Sequence, residues 1–251
     1  MSGPAPVPRR IAIADLVGIL GEGWQVFRAC RAISLAVGAA VTLAGLVLAV
    51  LAVTQGLAPM VPALAGGFLL LGPVAMAGLA GVALQHWRGR TPGMGSVLAE
   101  LRAAPRGLWA LVLFCILIDF IWLTDAGTLY SFLIGERRAT LGHVLPTDAA
   151  SARYHLFSTA MGFVLANVVF AVSAHAVPLL VRGERSLVRA VMASVRAVAT
   201  SPLAHGAWAA LLAATIFMSL LVPPLLCVAL PVLAYAGTAL DRHVFPDRLP
   251  S

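Results

Sequence analysis

With 251 residues, 61% of them hydrophobic and only 11% charged, the chain carries more apolar surface than a soluble fold of this size can hide, and its mean hydropathy of +0.96 points to a bilayer. The net charge of +7 rests on 17 basic residues, all of them arginine and set between apolar runs, so it reads as membrane-flanking charge and excludes nucleic acid as the natural partner. Three scattered cysteines, Cys30, Cys115 and Cys227, with no CxxC pattern, exclude a disulfide framework, a zinc site or a c-type haem attachment.

Residues 1–9 are proline-rich and are expected to form a disordered tail; they lack the apolar core or cleavage site of a signal peptide. The first span is therefore expected to serve as the membrane signal, and residues 10–251 to form a single integral-membrane domain. In 10–31, Ile13, Leu16, Val17, Leu20, Trp24 and Phe27 recur at steps of three and four, with Asp15, Glu22 and Gln25 opposite. That pattern predicts an amphipathic helix lying in the interface. A charge-free first span follows at 33–53, of the roughly 20 residues that a bilayer requires.

After a turn at 54–62, a second span occupies 63–84. Pro73 should kink it, and Gly72, Ala75, Ala77, Gly78 and Gly81 give it small-residue faces suited to close packing in lipid. A second basic segment, 86–107, carries Arg88, Arg90, Arg102 and Arg106 beside a stripe of Met94, Val97, Leu98 and Leu101. The third span, 108–135, is interrupted by Asp119 and Asp125, and a polar loop covers 136–155. The fourth span, 156–181, contains Asn167, Ser173, His175 and Pro178.

The third interfacial helix, within 182–202, is the clearest. Leu187, Val188, Val191, Val195 and Val198 mark one face, and Arg185, Arg189 and Arg196 the other. The apolar run at 203–240 would extend roughly 57 Å as one helix at 1.5 Å per residue, far beyond a hydrocarbon core of about 30 Å. Pro223 and Pro224 at its midpoint divide it into spans at 203–222 and 225–240. The alternative is five spans with a broken last segment.

The expected fold is an all-α polytopic membrane protein of about six transmembrane helices, arranged as three hairpins, each preceded by a cytoplasmic amphipathic helix. With six spans, 14 arginines fall on the side of the termini and three on the other. The positive-inside bias then places both termini in the cytoplasm of a bacterial inner membrane.

Asp119 is the sharpest chemical candidate. A carboxylate at mid-bilayer costs about 2.5–3.5 kcal/mol on insertion scales, and no Lys or Arg lies inside an expected span. It suits a proton relay or cation site, or else a hydrogen-bonded bridge between helices. His175 suits a proton carrier or a haem ligand, and His205, close to the surface, is its only candidate companion on that side. Asn167 suits an interhelical hydrogen bond. Asp119, Asn167 and His175 make up the candidate intramembrane polar site. Arg88, Arg90, Arg182, Arg185, Arg189 and Arg196 are expected at anionic headgroups. Trp87, Trp109, Trp122, Tyr130 and Tyr154 read as interface aromatics. No phosphate-binding, zinc-protease, esterase or dinucleotide motif occurs, so no enzyme activity, cofactor or metal is expected.

The stretches GFLLLGPVAMAGLAGV at 67–82, ANVVFAVSAHAVPLLVR at 166–182, MASVRAVATSP at 192–202 and LPVLAYAGTALDR at 230–242 resemble, in that order, the uncharacterised bacterial multi-pass membrane family called domain of unknown function 2189. The resemblance runs from the first interfacial helix to the sixth span and implies a multi-helix membrane architecture. Some members carry a cytochrome c oxidase label without an established function. Members typically close the fourth span with an Asp-Arg pair, where this chain has Val181 and Arg182. They carry histidines after the Pro-Val-Leu of the last span, where this chain has Tyr235 and Ala239. A haem role at those positions is not carried over.

Composition and packing signals thus favour a non-enzymatic accessory or scaffold component that binds lipid and other membrane proteins or itself. A small-molecule or proton-linked transporter using Asp119 is the alternative. A haem-binding or respiratory-oxidase-associated protein is the third reading.

Overall fold

A computed structural model describes residues 7–135 and 144–246. Most of the tail, Arg137 and Arg138 of the polar loop, and Arg248 lie outside the described residues, which are all helix and connection, with no strand among them.

The chain enters through α1 (Asp15–Ala29), turns at Cys30 and continues as α2 (Arg31–Thr54). A short 3-10 turn at Ala58–Met60 leads to α3 (Val61–Trp87), which contains Pro73. Then come α4 (Met94–Ala103), α5 (Arg106–Leu133), α6 (Ala149–Ser173) and the short α7 (Ala176–Val181). The last three are α8 (Leu187–Thr200), α9 (Pro202–Leu221) and α10 (Pro224–Val244). Five helical segments are long and apolar enough to cross a membrane: α2, α5, α6 with α7, α9 and α10. The prolines at 223 and 224 do divide the last run into two such helices.

The fourth long helix begins earlier than its hydropathy indicates. Residues 149–155, expected as loop, form its first two turns. The reason is a capping box: Asp148 Oδ1 accepts from the Ser151 backbone N–H, and Ser151 Oγ accepts from the Asp148 N–H.

α3 stands at the centre, touching α4, α5, α6, α7, α9 and α10. Its closest approach to α5 uses Gly66 and Gly67. The Trp122 indole of α5 lies over Gly66 on one side and Gly162 of α6 on the other, leaving no room for a Cβ at either glycine. Trp122 Nε1–H donates to the Ser158 carbonyl at 3.4 Å. Trp122 is therefore a buried wedge and Tyr154 is fully buried, where the sequence suggested interface aromatics. Indole area goes where flanking glycines leave a notch, and that depends on neighbouring helices.

The three amphipathic helices pack against the bundle. α1 buries Leu16, Ile19, Gly23, Val26 and Phe27 against α10 and leaves Ile13, Val17 and Trp24 exposed. The buried face is rotated from the predicted stripe, because Gly23 meets the backbone of α10 at Val232 and Ala236. α8 buries Ala190, Ala193, Ser194 and Ala197, while Val188 and Val195 face outward.

Candidate polar sites within the helix bundle

The fourth long helix is broken at Ala174 and His175, and the break builds a site. In an unbroken helix the His175 N–H would donate to the Ala171 carbonyl. Here a side chain is inserted into that ladder. The His175 N–H donates to Ser194 Oγ at 3.1 Å, and the Ser194 hydroxyl donates to the Ala171 carbonyl at 2.8 Å. Pro178, which has no N–H to return to Ala174, removes a further rung three residues on. Insertion of a side chain and a proline are both recognised causes of helix kinks.

The break turns the His175 ring inward. Its Nε2 lies 2.8 Å from Nε2 of His205 on α9, and its Nδ1 lies 3.1 Å from Oδ1 of Asp241 on α10. Asp241 Oδ2 accepts from Arg182 at 2.7 Å, and the other arm of that guanidinium donates to the Phe245 carbonyl at 3.1 Å. His205 Nδ1 faces the Ser201 carbonyl at 2.9 Å. The Phe245 ring packs edge-on to the His175 ring. All four side chains are sealed from solvent, with exposures of 1% for His175, 1% for His205, 1% for Arg182 and 0% for Asp241.

Arg182 was expected at the headgroups with the other arginines, but its side chain points into the protein. Gly183, at φ +103°, reverses the chain directly after it, and the Gly183 and Glu184 N–H groups close back on Leu180 and Leu179. The turn aims the guanidinium at α10, where both arms meet acceptors. A buried arginine is tolerated on that condition, and its planar fork suits two acceptors at once. The fourth long helix here lacks an acid before its arginine, and Asp241 supplies one from α10. His205, in the first turn of α9, is likewise buried among protein side chains. Of the remaining expected headgroup arginines, Arg88, Arg90, Arg185 and Arg196 are exposed, while Arg189 is partly buried and donates to Glu184 at 2.7 Å.

The three intramembrane candidates do not converge. Asp119 lies in the seam between α5 and α3, its Oδ1 only 2.7 Å from where a Cβ on Gly67 would stand. That oxygen is buried without a hydrogen-bond partner. Asn167 is on the outer face of α6, and its amide donates to the Phe163 carbonyl one turn back. Only His175 joins other ionisable groups. Asp241, which falls one residue beyond the expected sixth span, was missed; His205, at the very start of the fifth, was named as the companion of His175 but left out of the candidate site. One signal was available: His175, Leu179 and Arg182 follow steps of four and three and share one helix face.

Two apolar crevices accompany these sites. One of about 340 Å³ lies among α3, α6, α9 and α10, lined by Pro73, Met76, Phe170, Trp208 and Leu233, with Asn167 on its wall. Ala174, Gly206 and Leu240, each next in sequence to a cluster member, also line it. A larger one, about 860 Å³, separates the far half of α2 from the end of α9 and the start of α3. Asp119 lines neither.

The histidine pair does not fit two axial ligands of one haem. Metal–imidazole bonds of about 2.0–2.1 Å on opposite sides of an ion require nitrogens about 4 Å apart, whereas these stand 2.8 Å apart in direct contact. Among the described residues, no group of three or more His, Cys, Asp or Glu side chains is arranged to hold a metal ion.

The family model described as "Predicted integral membrane protein (DUF2189)" matches residues 60–182. That stretch runs from α3 to the end of α7 and is narrower than the resemblance read from the sequence. No curated protein and no solved structure matches the chain.

Proposed function

We propose that this chain, whose residues 60–182 match a family of predicted integral membrane proteins, is a six-span component of the bacterial inner membrane with cytoplasmic termini, acting as a non-enzymatic accessory or scaffold protein. In this reading α3 also crosses the membrane, as the second of six spans in chain order, and the helices pair as three hairpins, each led by α1, α4 or α8. The 14-to-three arginine asymmetry supports the orientation. Exposed Arg88, Arg90, Arg185 and Arg196 then meet anionic headgroups.

The observation that carries the scaffold reading is α2. Only 11% of its most apolar window is buried, and Leu35, Leu43, Leu46, Val47, Val50 and Leu51 stand exposed. Near its start α2 is held to α10 by the 2.8 Å hydrogen bond between Ser34 and Tyr235 and by Gly38 against the Cys227 backbone. Its far half stands off the bundle. A helix that keeps one end docked and one apolar face open offers a partner helix a seat in lipid, where association relies on packing. Single cysteines at Leu46 or Val50, introduced with Cys227 replaced by Ser, should cross-link in native membranes to a discrete second species. Cross-linking confined to the monomer at both positions would end this reading.

A second reading is favoured by the partnerless Asp119 Oδ1 in its seam: a proton- or cation-linked transporter. Asp119→Asn should then abolish flux into vesicles holding the purified chain, and unchanged flux would remove it.

A further inference from the structure

We propose that the contact between His175 and His205 is a proton-binding site, which holds one proton beyond those of two neutral imidazoles and an ionised carboxylate, and that releasing this proton parts α9 from the joint between α6 and α7.

The proton count follows from the two ends of the chain of contacts. The Ser201 carbonyl can only accept, so His205 Nδ1, 2.9 Å away, carries a hydrogen and donates it. In a neutral ring, His205 Nε2 is then an acceptor. His175 Nε2, at 2.8 Å, must supply the hydrogen of that contact. At the other end, Asp241 accepts from Arg182 through Oδ2 and meets His175 Nδ1 through Oδ1. That contact also needs a hydrogen, so His175 donates from both nitrogens, as an imidazolium does.

Removing one proton leaves two lone pairs face to face. They are either the two Nε2 atoms at 2.8 Å or His175 Nδ1 against the Asp241 carboxylate at 3.1 Å. Both rings are sealed from solvent, so water does not fill the gap while the contact stays closed. Closing the contact therefore takes up a proton, and opening it returns that proton to water at the arginine-rich end. The sign follows: the contact is held at low pH and parts as pH rises.

The Asp241 carboxylate favours the extra positive charge, and the Arg182 guanidinium opposes it. Several other charges on the elements packed around the pair bond elsewhere. Arg189 of α8 pairs with Glu184, Arg242 of α10 stacks over Trp87 of α3, and His243 of α10 meets Glu22 of α1. Asp15 of α1 accepts from the Ala12 N–H. His86 of α3 and Arg106 of α5 make no bond to either ring.

The elements that would move are connected. Ser194 ties α8 to the joint, and Ser201, whose carbonyl holds His205, accepts the Ile11 N–H through its hydroxyl at 3.1 Å. Ala174 and Gly206 line the smaller crevice beside the cluster. Parting α9 from the joint would extend that crevice toward the arginine-rich end.

The test uses the full chain with ¹⁵N-labelled histidine in lipid nanodiscs, titrated across the range in which histidine exchanges its proton. At the acid end, one histidine should show both ring nitrogens protonated, with a nitrogen–nitrogen coupling across the hydrogen bond. Both signals should be lost in one step as one proton per chain is released. A His175 ring with one bare nitrogen throughout, or a coupling that persists to the alkaline end, overturns the proposal. Spin labels at Val168 of α6 and Leu203 of α9 should move apart as pH rises in the otherwise unchanged chain. In His205→Gln, whose carboxamide either donates or accepts without titrating, the distance should stay constant. No movement in the unsubstituted chain, or the same movement in His205→Gln, also overturns it.

Discussion

Asp241 and Asp119 are both buried carboxyls on helices long and apolar enough to cross a membrane, and they are held in opposite ways. Asp241 has both oxygens occupied, one by the Arg182 guanidinium and one by the His175 ring. It joins α6, α7, α9 and α10 at one end of the bundle. Asp119 has a buried oxygen without a partner and touches Gly67 across a helix seam. A buried charge with paired neighbours becomes a structural joint whose loss exposes the partner. A buried carboxyl with none is a local matter between two helices.

The largest test of this contrast removes one half of the closed pair. Arg182→Met removes one of the two partners of the buried Asp241 carboxyl and leaves only His175, and breaking such a pair is expected to destabilise by about 3–5 kcal/mol. Denaturation in mixed micelles measures it, and restoring an apolar partner in the double variant Arg182→Met, Asp241→Leu should recover much of the loss. Stability unchanged in the single variant would show that the cluster is not a joint. Gly67→Ala probes the other seam by placing a methyl on Asp119 Oδ1. Overpacking of this kind should cost about 1–3 kcal/mol, and an unaffected melting temperature would mean that α3 and α5 yield there easily.

Ser194→Ala removes the hydroxyl wedged into the fourth long helix. Loss of its two hydrogen bonds is offset in part by closure of the rung from His175 to Ala171, so the net change should be about 1 kcal/mol. Hydrogen exchange at the His175 amide would report the closure. The smallest effect is expected for Asp119→Asn, roughly 0.6 kcal/mol, the average for polar contacts in a helical membrane protein. If Asp119→Asn proved as damaging as Arg182→Met, the contrast between the two acids would collapse.

The helical framework was legible because its causes are local. Charge-free runs, prolines at 223 and 224 and arginine-marked amphipathic segments each act through neighbours in sequence, and the helices lie within a few residues of where these place them. One boundary shifted because the Asp148 and Ser151 cap overrides hydropathy. The candidate site was half legible. His175 stood out as an ionisable residue in an apolar run, but Arg182 read as one more headgroup arginine, and Asp241 and His205 lay at or beyond the limits of their runs.

Hydropathy, proline placement and the arginine pattern are properties of consecutive residues, and they suffice to specify a membrane-embedded helical bundle and the order of its helices. Partnership between side chains 30 to 66 positions apart is not such a property. It arises because Ser194 opens a helix at His175, Gly183 turns Arg182 inward, and α9 and α10 converge there. Packing across helices alone made a joint of Asp241 and left Asp119 in a seam.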